Sequence, residues 1–431
     1  MTSRSFNSRD AVHAEQLTRL RELVGALLAS NPYYGAILRE AGVDHNIASL
    51  DDFVSRIPFT EKQRLIEDQA AHPPYGTNLT FPIERYTRFH QTSATTGAPM
   101  RWLDTTESWQ AMLNCWRRVY EGADVHADDR VLFAFSFGPF LGFWTAFEAA
   151  TAMGCLCIPA GGLSSTARLR LIVDNDVTVL CCTPTYALRL AEVARQEGID
   201  LSAGNVRRII VAGEPGGSVP ATRAQIETAW PGARVYDHHG MTEVGPVTYE
   251  CPERPSVLHI MEDAYLAEVV DIETGKPVRS GETGELILTT LLRVGSPLLR
   301  YRTGDLVKLV ADQCKCGRHE PTLEGGILGR ADDMVLVRGV NVYPSAVEQI
   351  IRKHTEVVEY QVEVDVQDAM TEILVTIESA VPGDDSTALA KRVEAALRDG
   401  LSLRVPVRCV GPGELPRYEM KAKRWRVRPP G

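Results

Sequence analysis

Between residues 130 and 237 the chain repeats one pattern: a short, almost wholly apolar run, then a longer stretch with helical spacing of apolar residues. The runs are VLFAFS, CLCIP, VTVLCC, RRIIVAG and RVYDH, and the helical stretches begin near Phe140, Ser164, Pro184 and Val219. Strands that alternate with helices predict a parallel sheet with helices on its faces, whose ligands sit at the carboxyl ends of strands. Helical spacing precedes this region at 11–29, 33–41 and 60–69, and β-rich meanders follow Ile260 in AYLAEVVDIETG, GELILTTLL and DLVKLVAD. The C-terminal stretch has its own small plan: a helix from Pro344, strands at 357–364 and 372–377, a helix at 386–398 and a strand at 404–409. The expected fold is therefore α/β. A large domain, 1–331, combines a helix-flanked parallel sheet with a β-rich subdomain, and a small mobile α+β lid, 332–431, is hinged at Asp332.

One stretch changes this picture only briefly. Residues 131–147 carry no charge, but Gly138, Pro139 and Gly142 break the run, and a strand–turn–helix accounts for it without a membrane span. The N-terminus has no apolar signal core, which predicts a cytoplasmic protein. At 431 residues, 44% hydrophobic and 24% charged, the composition is that of a soluble enzyme of two domains. Acidic residues outnumber basic ones, 56 to 46, which argues against nucleic acid as a partner. The nine cysteines lack a secreted disulfide spacing. Cys155, Cys157, Cys181 and Cys182 fall within apolar strands and read as core thiols.

Four polar blocks carry the candidate chemistry. In YRTGD at 301–305, Asp305 beside Gly304 offers two carboxylate oxygens to vicinal hydroxyls, and Arg330 of the GRADDMVLVRGVNVYP block adds a planar fork of donors. Read alone, YRTGD is equally a surface turn. TSATTGAP at 92–99 places Ser93, Thr95, Thr96 and Gly97 where backbone N–H and hydroxyl groups close on phosphate oxygens, although a Ser/Thr-rich surface loop has the same composition. It lacks GxxxxGK[ST], and no lysine follows Gly97 to bring charge. YDHHGMTE at 236–243 offers the Glu243 carboxylate to Mg²⁺ and the Thr242 hydroxyl to the α-phosphate. The last block, LPRYEMKAKR, ends the lid and holds Lys421 and Lys423.

These blocks, in this order, resemble the adenylate-forming superfamily of acyl-CoA synthetases, adenylation domains and luciferases. Ala212-Gly213-Glu214-Pro215, GELILTTL, RGVNVYP and PRYEMKAKR narrow the resemblance to the phenylacetate–coenzyme A ligase family, from about Thr92 onward. The resemblance implies an ATP-dependent, AMP-forming ligase that adenylates a small aromatic acid, rotates its lid and transfers the acyl group to coenzyme A. It implies nucleotide contacts at Glu214, Pro215, Asp237, His238, His239, Gly240, Met241 and Thr242 besides Asp305 and Arg330. His239 stands where relatives carry an adenine-stacking Tyr, Ala94 and Met420 replace glycines, and Lys421 takes the place of the catalytic lysine. Phe135, Ser136, Phe137, Gly138 and Phe140, with Ala212 and Gly213, match the acyl pocket. Cys251, His259, Cys314 and Cys316 sit in two polar loops and form a loosely spaced candidate for structural Zn²⁺. A carrier-protein thiol or an amine as acceptor, an oxyanion other than a carboxylate, a nucleotide binder without turnover and a homodimer all remain open at this point.

Overall fold

Capping groups in the sequence set the ends of the helices that frame the site. Asn31 and Thr183 cap helices Pro32–Glu40 and Pro184–Glu197, each followed by a proline that suits the first helical turn. Ser49, Thr105 and Ser164 do the same for helices Leu50–Arg56, Thr106–Gly122 and Ser165–Asp174. These elements come from a computed structural model, which describes residues 8–92, 99–135, 137–367, 370–380, 386–418 and 422–428.

The predicted parallel sheet is present. Its strands Leu156–Pro159, Arg130–Phe133, Val179–Cys182, Arg208–Val211 and Arg234–Asp237 lie side by side in that order, all parallel. The expected strands stop short at their carboxyl ends, because Ala134–Phe135 and Ala212–Gly213 turn out of the ladder to form loops. A cavity opens there. A second, antiparallel sheet of six strands follows the order Thr248–Glu250, Val257–Ile260, Thr322–Arg330, Tyr301–Val310, Thr283–Thr290, Tyr265–Val270. YRTGD is therefore strand, not turn. Gly304 takes φ +75° inside it, and a Cβ there would lie 2.9 Å from the Arg330 guanidinium.

The C-terminal part has its own apolar core, with Val347, Ile351, Val362, Val375 and Val393 fully buried. Its sheet runs Val407–Val410, Met370–Ser379, Val357–Gln367, Trp425–Val427. The last of these strands, in the basic tail, was not expected. Neither was helix Thr106–Gly122, although Trp109, Met112, Leu113, Trp116, Val119 and Tyr120 repeat at i, i+3, i+4 and i+7 and are all buried. Among the described residues no helix is long and apolar enough to cross a membrane.

Candidate active site

Antiparallel pairing sets Asp305 directly opposite Arg330, so two blocks far apart in sequence become neighbours. Arg330 Nη1 donates to Asp305 Oδ1 at 2.9 Å and Nη2 to Asp332 Oδ2 at 3.0 Å. His239 Nε2 approaches Asp305 Oδ2 to 3.2 Å from the other side. The Asp305 residue is 3% exposed, a buried carboxylate between two nitrogen-bearing partners. Asp332, the expected hinge, lies two residues past the end of strand Thr322–Arg330 and is tied to Arg330.

Glu243 is also buried, and two groups outside its own block reach it. Lys62 Nζ lies 2.9 Å from Glu243 Oε1, and the Tyr301 hydroxyl lies 3.5 Å from the same oxygen. Lys62 opens helix Lys62–Ala71, which is pinned here because Thr60 bridges to Tyr301 and exchanges backbone hydrogen bonds with Arg300 and Arg302. Lys62 was missed in the sequence. It brings a positive charge from the N-terminal helices to the Glu243 carboxylate. Arg293 was missed as well: its Nη1 donates to the carbonyls of Thr242 and Glu243, both at 2.7 Å, while Asp104 grips its other edge with two bonds of 2.6 Å. A buried bidentate pair of this kind fixes the loop that carries Thr242 and Glu243.

Glu214 and Asp237, expected at the nucleotide, have different partners. Glu214 accepts from the Thr185 N–H at 2.9 Å and from the Ala422 N–H at 2.8 Å, so it links the parallel-sheet region to the C-terminal segment beside Lys421. Asp237 accepts from Ser218 Oγ at 2.5 Å; burial raises its pKa against that bond and the nearby Arg223. Pro215 lies in the turn between strand Arg208–Val211 and helix Pro220–Ala229. Three further contacts dock the C-terminal part: Arg417 with Glu192 at 3.1 Å, Arg424 with Thr185 Oγ1 at 3.3 Å, and Gln225 with the Arg352 carbonyl at 2.8 Å. The expected site residues Ser93, Thr95, Thr96, Gly97, Ser136 and Lys421, and with them Ala94 and Met420, lie outside the described residues.

At the carboxyl end of the parallel sheet is a cavity of about 240 Å³, mostly apolar. Of the expected pocket residues, Phe135, Phe140, Ala212 and Gly213 line it, together with His238, Gly240, Met241 and Thr242. Phe137 is a correction: it packs edge-on against Phe133, Trp144 and Phe147 and belongs to the core. Gly138 also falls outside the wall, its carbonyl accepting from Trp144 Nε1 at 2.9 Å. The structure adds Phe143, stacked on Phe135 at 4.2 Å, and Trp116, whose ring meets His238 at 4.4 Å. Burial and then the neighbouring His239 lower the His238 pKa to about 3, so this imidazole is neutral at physiological pH.

The four candidate metal ligands converge. The donor atoms of Cys251, His259, Cys314 and Cys316 all lie within 4.8 Å of one another. Cys251 Sγ and Cys314 Sγ are 3.8 Å apart, and Cys316 Sγ is 3.3 Å from His259 Nε2. Sulfur ligands ~2.3 Å from a tetrahedral cation would stand about 3.8 Å apart, so the donor set fits Zn²⁺. His259 Nδ1 faces the Glu320 carbonyl at 3.3 Å, leaving Nε2 for a metal. Burial pushes the Cys251 thiol up to about 12, which a bound dication would reverse.

Comparison with known proteins agrees with this geometry. Residues 89–290 match the AMP-binding enzyme family and residues 339–426 the AMP-binding enzyme C-terminal domain. The phenylacetate-coenzyme A ligase of Thermus thermophilus is 34% identical over 95% of each chain, and that of Escherichia coli is 30% identical over 97% of this chain and 95% of its own. A 2-hydroxyisobutyryl-CoA ligase in the postadenylation state with 2-HIB-AMP superposes with a TM-score of 0.92 at 28% identity, covering 98% of this chain and 91% of its own. The same ligase with 2-HIB-AMP and CoA in the thioesterification state gives 0.74 at 29% identity and the same coverage. This chain belongs to the phenylacetate–coenzyme A ligase family of AMP-binding enzymes, and is an ATP-dependent, AMP-forming acid–coenzyme A ligase.

Proposed function

We propose that the acid is aromatic and that the cavity at the end of the parallel sheet holds its ring. The aromatic wall carries this reading: Phe135 stacked on Phe143, Phe140 edge-on to Phe143, and Trp116 across from them. A wall rich in aromatic side chains favours a flat ring over a branched aliphatic acid. The curated phenylacetate-coenzyme A ligases support the same class.

The proposed roles follow from the contacts. Asp305 accepts from both ribose hydroxyls, with His239 and Arg330 holding its carboxylate. Thr242 donates to the α-phosphate, where Gly240 and Met241 bring the backbone to the same wall. Glu243 is the carboxylate that would hold Mg²⁺, which when bound offsets phosphate charge. Lys62 stands beside it as a fixed cation for the leaving pyrophosphate. A carboxylate oxygen of the acid attacks the α-phosphorus and pyrophosphate departs. Negative charge builds between two anions, and Lys421, by its place in the motif, neutralises it. The coenzyme A thiolate then attacks the acyl carbon and AMP leaves. The two steps need different lid faces, so residues 332–431 act as a lid turning at Asp332. The better superposition on the postadenylation neighbour supports a lid position like that neighbour's. The Cys251–His259–Cys314–Cys316 site is structural, since all four positions of a tetrahedral ion are taken by protein.

ATP–pyrophosphate exchange tests the reading. Exchange should depend on an added aryl acid such as a benzoate or phenylacetate. Exchange that responds only to aliphatic acids, 2-hydroxyisobutyrate included, would contradict an aromatic substrate.

A further inference from the structure

Helix Pro184–Glu197 meets the C-terminal part at two points. Thr185 Oγ1 accepts from Arg424 Nη2 at 3.3 Å, and the two Glu192 oxygens accept from Arg417 Nε at 3.1 and 3.2 Å. Thr185 and Glu192 are seven residues apart, which places them two turns or about 10.5 Å apart on one face of the helix. Arg417 and Arg424 are also seven residues apart and pair in the opposite sense, and Lys421 falls between them in sequence. The Ala422 N–H, given to Glu214 at 2.8 Å, is held within the same span.

Each arginine is fixed first within its own part. Arg424 Nε donates to Glu359 Oε1 at 2.6 Å. Both Nη atoms of Arg417 donate to the buried Glu378 carboxylate, at 2.5 and 2.8 Å, and Glu378 also takes the N–H groups of Gly413 and Leu415. The Nε edge of Arg417 is left for Glu192. On the helix side, Arg189 Nη1 donates to Glu192 Oε2 at 2.7 Å. Opening the Arg417–Glu192 pair therefore leaves neither charge without a companion, and both side chains keep some solvent, with 21% and 24% exposed. Such a pair is weak and readily broken, unlike a buried one whose opening strands a charge. A contact that must release in every turnover needs that property.

We propose that Glu192 is a positioning residue for adenylation: through Arg417 it latches the segment that carries Lys421, and the latch opens before coenzyme A transfer. This rests on the reading of residues 332–431 as a turning lid, and adds the residue of the large domain that holds the lid in its first position. Removing the Glu192 charge weakens only the latched position, so adenylation slows and transfer does not.

The test uses the full-length enzyme with an acid that supports ATP–pyrophosphate exchange. Glu192→Gln should slow single-turnover adenylation at saturating ATP about twofold to fivefold, the range of a partly exposed ion pair, with ATP affinity unchanged. Transfer to coenzyme A from supplied acyl-AMP should not slow. Glu192→Asp should keep part of the adenylation rate. Added salt should slow native adenylation more than that of Glu192→Gln. The double variant Glu192→Gln, Arg417→Gln should adenylate no more slowly than Arg417→Gln alone, because both changes act on one pair. A native adenylation rate in Glu192→Gln, equal loss in both half-reactions, or additive losses in the double variant would overturn the proposal. Lys421→Ala separates the latch from the lid. If it splits the half-reactions and Glu192→Gln does not, the latch alone is overturned; if it shows no split, the lid reading is overturned and the latch with it.

Discussion

Asp305 meets a guanidinium and an imidazole at once, and it is the residue on which nucleotide binding should turn. Hydrogen bonds to charged groups contribute about 1.5–3 kcal/mol each. Asp305→Ala should therefore weaken ATP binding about tenfold to a hundredfold in calorimetry, with the circular dichroism spectrum unchanged; unaltered affinity would remove Asp305 from the site. Lys62 is the second residue-scale test. A cation fixed beside Glu243 that acts on departing pyrophosphate should be worth ~10²-fold in the adenylation step. Lys62→Ala should show that loss in single-turnover adenylation, with Lys62→Arg recovering part of it. If Lys62→Ala adenylates normally, Lys62 is merely the resting partner of the Glu243 carboxylate. Asp305, Arg330 and Glu243 could be named from the sequence only because their polar blocks stand in the family's order; YRTGD alone reads equally as a surface turn. Lys62 could not, because its significance depends on the Thr60–Tyr301 bridge, which joins distant parts of the chain.

Among the elements, the antiparallel sheet brings the four zinc-type ligands together. Cys251 follows strand Thr248–Glu250, His259 lies within Val257–Ile260, and Cys314 and Cys316 occupy the loop before Thr322–Arg330. Cys314→Ser should release one equivalent of zinc and lower the melting temperature, as should variants of the other three. Protein purified without added metal that contains no zinc would end the assignment. The cysteines could be singled out early because polar surroundings gave them no core role. Thr106–Gly122 and Trp425–Val427 were harder. The former has a clear apolar stripe, but the strand–helix alternation that draws the eye begins only after it. The latter is three residues long in a basic tail, and only pairing with Val357–Gln367 makes it a strand.

For the whole molecule, a few polar contacts join the C-terminal part to the parallel-sheet region, and the proposed lid would have to break them to turn. Glu214 ties the Thr185 N–H to the Ala422 N–H, one residue beyond Lys421. Its side chain was expected at the nucleotide, and nothing local in AGEP could reveal a partner more than two hundred positions downstream. Glu214→Gln weakens both bonds to the backbone, so it should slow adenylation while sparing coenzyme A transfer from supplied acyl-AMP. Lys421→Ala should show the same split more severely, with adenylation falling ~10²–10³-fold. Equal loss in both half-reactions would make either residue structural, and Lys423→Ala then tests whether the neighbouring lysine holds the role. The two-part architecture and the parallel sheet were readable from alternating runs. The docked position of the second part was not, because it rests on a few long-range polar contacts.

In the proposed reaction an aromatic acid is joined to coenzyme A through its adenylate. The most direct test is mass spectrometry of the products from ATP, Mg²⁺, coenzyme A and an equimolar mixture of aryl, aliphatic hydroxy and medium-chain acids. An aryl-CoA thioester should appear first, with one AMP formed per thioester. Aliphatic thioesters forming first, or aryl-AMP accumulating with no thioester, would contradict the account.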